Sequence, residues 1–183
     1  NMKKLIIINM QNDFINGPLL TEGASAIIEK MVDFVKHAHE NEYEEIILVY
    51  DTHHEDYLST PEGKSLPIKH CIEGTEGWKV QFDVYQTALD SEVRSRRIEK
   101  YSDDYDEWQY ENLRSAEEIT VIGLGKDVVS NANVIKTVYP NNTVVIYPEL
   151  CAGLPEQINT VAELRELPKP ESVEETASIK EAE

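Results

Sequence analysis

A chain of 183 residues is long enough for one domain that buries roughly 70% of the surface its unfolded form exposes. With 40% hydrophobic and 28% charged residues it has the make-up of an ordinary globular protein, and a net charge of −18 disfavours nucleic acid and anionic membranes, which would repel it. No apolar stretch approaches the roughly 20 residues of a membrane span, and the cysteines, Cys71 and Cys151, suit a reducing, cytoplasmic setting rather than a disulfide framework.

Lys3-Lys4 lead into Leu5-Ile6-Ile7-Ile8, a run fit for a strand buried on both faces and too short for a secretory signal. It ends at Asn9, before Met10-Gln11-Asn12-Asp13-Phe14 and a turn at Asn16-Gly17-Pro18. Ile27, Met31, Val35 and Ala38 recur at helical spacing and predict a helix over 24–41. A second strand follows over 45–50. After a loop that contains His70 and Cys71, the segment 78–89 fits helix and strand equally well. The spacing then predicts strands at 95–100, 118–122 and 143–147, and helices at 105–114, 128–139 and 156–167. From 168 to 183 the chain is Pro-, Glu-, Ser- and Thr-rich, and it is expected to be a mobile acidic tail. The expected domain therefore covers 4–167.

Strands alternating with helices predict an α/β fold, doubly wound, with a mainly parallel sheet of five to six strands. Every strand's carboxyl end then lies on one edge of the sheet. Asn9, Asp51, Lys100 and the Gly123–Asp127 turn, each ending a different strand, should converge there on one crevice. Asp51 and His53 are two apart, so in an extended segment both side chains point the same way. With His70 they could complete a carboxylate and two-imidazole set for one divalent metal. On spacing alone, the same residues also fit an ordinary solvated loop.

Four stretches resemble the isochorismatase-like cysteine hydrolases, and within them the nicotinamidase branch. Leu5 to Phe14 is similar to a first strand normally written with D-M-Q-x-D-F. Asp51-Thr52-His53 with Pro67-Ile68-Lys69-His70-Cys71 looks like the branch's metal motif. Lys100 sits where the family keeps a catalytic lysine, and Gly123-Leu124 with Asp127 resembles a G-L/V-x-T-D turn. The resemblance implies covalent amide hydrolysis: a cysteine after that turn attacks, an aspartate ending the first strand takes the thiol proton, and the lysine assists. It further implies a metal, with zinc expected, on Asp51, His53 and His70. Substrate contacts from Phe14, Tyr101 and Gly125, a small-molecule ligand and a homo-oligomer are implied as well.

The chain departs from this pattern at two catalytic positions. Asn9 occupies the place of the aspartate, and an amide does not accept a thiol proton. Val129 falls where the cysteine belongs. Ser130 and Cys151 are the replacement candidates, each with an ordinary structural alternative: a helical Ser bonded to backbone, or a buried structural thiol; Cys71 follows His70 where the resemblance implies a cysteine not used as nucleophile. His54 should point to solvent, while Asp13 and Asp127 read as loop-ordering and helix-start carboxylates. Two readings follow: a catalytically impaired homologue that binds a small heteroaromatic amide-like ligand beside the metal, or an active C–N hydrolase working through the metal or a replacement nucleophile.

Overall fold

The structure is a computed structural model and describes residues 2–169. Its centre is a six-stranded sheet of β1 (Lys3–Ile8), β2 (Tyr43–Asp51), β3 (Arg94–Lys100), β4 (Glu118–Leu124), β5 (Thr143–Ala152) and β6 (Glu163–Leu164). The strands lie in the order β3-β2-β1-β4-β5-β6, and every pairing is parallel. The helices are α1 (Asn12–Ile15), α2 (Ile28–Lys36), α3 (Pro61–Ser65), α4 (Phe82–Asp90) and α5 (Lys126–Val138). The doubly wound parallel sheet is the expected one.

The apolar runs explain the layout. β1 and β4 are buried almost throughout, so their branched residues can face helices on both sides. β1 pairs with β2 on one side and β4 on the other, and the strand order reverses there. A crevice opens at such a reversal, and here it is flanked by Asn9 and by the turn into α5. Gly123 allows the two strand ends to approach. Its φ is +132°, and a Cβ there would lie 2.1 Å from the Ile8 carbonyl oxygen.

Several expected elements are different. The helix predicted over 24–41 is a 3-10 turn at Ser25–Ile27 followed by α2, which ends at Lys36. The ambiguous 78–89 segment contains α4. No α-helix forms over 105–114, only a 3-10 turn at Trp108–Tyr110. Asn131 on α5 accepts from the Tyr105 backbone N–H and the Trp108 indole, which pins the segment before a helix can extend. The loop expected from Leu150 is strand: β5 bulges around Pro148, then resumes pairing at Cys151 and Ala152.

The predicted helix over 156–167 is absent as well. Asn133 of α5 bonds the Asn159 carbonyl, the Thr160 hydroxyl and the Val161 N–H, and holds this stretch extended. Glu163 and Leu164 then pair with β5 as the sheet's edge. Of the expected acidic tail, residues 170–183 lie outside the described residues.

Gly123→Ala is expected to destabilise the protein by about 3 kcal/mol or more, since it adds both a left-handed backbone cost and a clash with fixed backbone. Urea unfolding of the two proteins measures it, and a loss below about 1 kcal/mol would show that β1 and β4 can separate at no real cost.

Candidate functional site

The register of β2 against β3 places Asp51 opposite Lys100 on one face of the sheet. The Lys100 side chain is fully buried, and its ammonium donates to Asp51 Oδ1 at 3.3 Å and to Asp127 Oδ2 at 2.9 Å. Burial works to lower the Lys100 pKa, but the two carboxylates outweigh it and keep the ammonium charged. Burial also disfavours the Asp51 carboxylate, yet hydrogen bonds from His53 and His70 and the Lys100 charge hold its pKa well below the usual range. For Asp127, burial is the strongest influence and raises its pKa against the pull of Lys100 and Asn9.

Asn9 closes the cluster from the end of β1. Its φ of +58° is left-handed, a conformation asparagine adopts more readily than most residues. The turn is held by Asn9 N–H donating to the Val49 carbonyl, and the Asn9 carbonyl accepting from Gln11 N–H. The side-chain Nδ2 donates to Asp127 Oδ2 at 2.7 Å, while Oδ1 is buried without a partner among the described residues. Val129 lies one half-turn further along α5, buried in the apolar core. Asp127, read as a helix-start carboxylate in a turn expected at the crevice, is therefore the carboxylate that joins Asn9 to Lys100.

The other side of Asp51 holds the two imidazoles. Asp51 Oδ2 lies 3.2 Å from His53 Nε2 and 3.5 Å from His70 Nε2. Ligand atoms about 2.1 Å from a tetrahedral centre sit roughly 3.4 Å apart, so this spacing suits one divalent ion. The tautomer points the same way. His70 Nδ1 is 2.7 Å from the Ile68 carbonyl, which can only accept, so Nδ1 carries the proton. In the neutral ring, Nε2 then turns a lone pair towards a carboxylate. Such a contact needs a proton or a metal cation between the two atoms. Burial acts to lower the His70 pKa, but the Asp51 hydrogen bond and the Ile68 carbonyl overcome it and raise the pKa.

The surroundings of this trio contain residues with no distinguishing mark in the sequence. Tyr57 packs edge-on against His53 and His70, with ring centroids at 4.7 and 5.2 Å, and its hydroxyl donates to the Leu66 carbonyl. Gln11 accepts from the Asp51 N–H and donates to the Asp51 and Trp78 carbonyls. It belongs to the first-strand motif, and that position was the one available signal. Asp13 accepts from the Cys71 N–H and so fixes the loop that carries His70, the loop-ordering part expected of it.

Phe14 lies against His70, 5.6 Å between centroids. Tyr101 is largely exposed, stacks on His54 and helps to line a cavity of about 330 Å³ beside His53. His54 is half-exposed and paired with Glu73, in line with the solvent-facing expectation. Gly125 is the N-cap of α5, with φ +81° and open space where a Cβ would point. The replacement candidates are poorly set up for nucleophilic work. Ser130 bonds the Asp127 carbonyl from within α5. Burial pushes the Cys151 thiol up to about 12, and raises that of Cys71 still further.

The sequence matches the family model described as Isochorismatase domain over residues 3–173. Among solved structures, a nicotinamidase/pyrazinamidase from Bacillus subtilis is similar with a TM-score of 0.74 and 23% identity, covering 91% of this chain and 100% of that one. A pyrazinamidase of Pyrococcus horikoshii in complex with zinc has a TM-score of 0.69 and 16% identity over 91% of this chain and 100% of its own. PnC1 from L. infantum, in complex with nicotinate, has a TM-score of 0.69 and 18% identity over 90% and 92%. These likenesses show a shared fold. No curated protein matches by sequence.

Lys100→Met is expected to destabilise the metal-free protein by about 3 kcal/mol, because it leaves two buried carboxylates without their cation. Chemical denaturation checks this. A change within about 0.5 kcal/mol would mean that the cluster is wetter than its burial indicates.

Proposed function

The chain belongs to the isochorismatase domain family, and we propose that it is a ligand-binding member that has lost the acyl-transfer chemistry of its relatives. The observation that carries this reading is the bond from Asn9 Nδ2 to Asp127 Oδ2. The group at the end of β1 is an amide that donates to a carboxylate, and its oxygen is too weak a base to take a proton from a nucleophile. Val129 offers no nucleophile in any case. Lys100 is neutralised by two carboxylates and serves to hold the cluster together.

Asp51, His53 and His70 would hold a divalent metal, with zinc expected from the donor set and from the zinc-bound neighbour. When bound, it would supply a Lewis acid for a ring nitrogen or a carbonyl oxygen. Phe14 offers an aromatic edge beside His70, Tyr101 a wall at the cavity mouth, and Gly125 an unobstructed approach to the start of α5. A small heteroaromatic amide-like compound suits these contacts. The competing reading is an active C–N hydrolase that relies on the metal in place of a thiol, and the close-set Asp51, His53 and His70 trio favours it.

Two measurements separate these readings. Protein purified without chelator is expected to carry about one zinc per chain and to lose it in His70→Ala, by elemental analysis. Ammonia release from nicotinamide or pyrazinamide is expected to be undetectable. Asn9→Asp alone should restore nothing, since it lacks a nucleophile, and neither should Val129→Cys, which lacks a base. Only the double variant has both parts of the reaction unit. Wild-type turnover that chelation abolishes would instead establish the metal-dependent hydrolase.

A further inference from the structure

The face of β2 and β3 turned away from Asp51 and Lys100 carries a second concavity. Successive strand residues alternate, so Tyr50 and Arg97 lie on the face opposite Asp51. Together with Trp78 and the Phe82 and Tyr85 rings of α4 they line a pocket of about 770 Å³ beside the start of α2. That volume lies in the range of small-molecule sites. Nothing in the metal cluster borders it.

Two cations line it: Lys79, which pairs with Glu76, and Arg97. The Tyr50 and Trp78 rings are 4.9 Å apart at 46°, and the Arg97 guanidinium lies over both, its Cζ 5.6 and 5.2 Å from their centroids. Stacking of this kind orients the planar fork, so little side-chain entropy remains to be lost on binding. Arg97 pairs with Glu99 through Nε at 3.4 Å. Its two terminal nitrogens make no hydrogen bond among the described residues, and the side chain is about half exposed. Phe82 is 68% exposed and Tyr85 40%, which leaves two aromatic rings at the pocket rim for a ligand to cover.

We propose that this pocket is a second ligand site, for a planar aromatic carboxylate whose ring stacks among Trp78, Phe82 and Tyr85 and whose carboxylate takes the free fork of Arg97. The bidentate match of guanidinium to carboxylate sets the orientation. The protein's charge of −18 opposes an anion at long range, so recognition must come from this local contact and from ring burial. The site is independent of the metal and of the fate of the hydrolytic machinery.

Calorimetric titration of the full chain with 1-naphthoate tests the proposal, with 1-naphthylmethylammonium as the cationic comparison. Saturable one-to-one binding of the carboxylate is expected. Affinity should fall about tenfold in Arg97→Gln and less in Arg97→Lys, which keeps the charge but not the fork, and should be unchanged in His70→Ala. Phe82→Ala, at an exposed position, should weaken binding while leaving the melting temperature in place. No saturable binding up to about 5 mM overturns the proposal. So does equal or tighter binding of the cation, or loss of binding in His70→Ala with retention in Arg97→Gln, which would put the probe at the metal site. Self-association that Phe82→Asp abolishes, seen by sedimentation, would assign the face to a second copy and overturn it too.

Discussion

A single buried ammonium holds the working end of this molecule together. Lys100 ends one strand, Asp51 ends its neighbour, and Asp127 opens the helix that follows a third. An unpaired ammonium in that position would cost several kcal/mol, so both carboxylates have to be where they are. The consequence reaches beyond stability. Asp51 is held ionised towards the two imidazoles, and a close-set group of one carboxylate and two imidazoles rests on a structural ion pair.

Asn9 fits into that arrangement because of its backbone as much as its side chain. The strand must turn sharply to clear β4, and a left-handed residue does this. The amide at the turn donates to Asp127, which is already paired with Lys100. Val129 continues the apolar core to the helix start.

The segment that follows His70 links the two faces of the sheet. Trp78 donates from its indole to Thr52, between Asp51 and His53, while its ring lies against Tyr50 on the far side. Gln11 bonds the backbone of both Asp51 and Trp78. Asp13 closes over the same segment at Cys71 and at Gly77, where a Cβ would meet its carboxylate at 2.2 Å. The Asp51, His53 and His70 cluster and the aromatic pocket therefore share one hydrogen-bonded strap.

What the sequence determined by itself was the sheet and the residues at its edge. Branched apolar runs bounded by turn residues can hardly be anything but buried strands, and in a parallel sheet their ends must share an edge, so Asn9, Asp51, His53 and Lys100 were legible as neighbours. Asn9 and Val129 likewise stood out in the sequence, by motif position. Tertiary contacts decided the rest. The stretch 156–167 has helical spacing, yet Asn133 and the open edge of β5 drew it into β6, because local preference is worth less than a row of backbone hydrogen bonds. Asp127 by itself read as a helix-start carboxylate, and only the packing of α5 on β4 and β5 made it the partner of Lys100 and Asn9. Tyr57 and the pocket around Arg97 had no signature, since each depends on side chains from distant segments meeting in space, and no single stretch of sequence carries such a meeting.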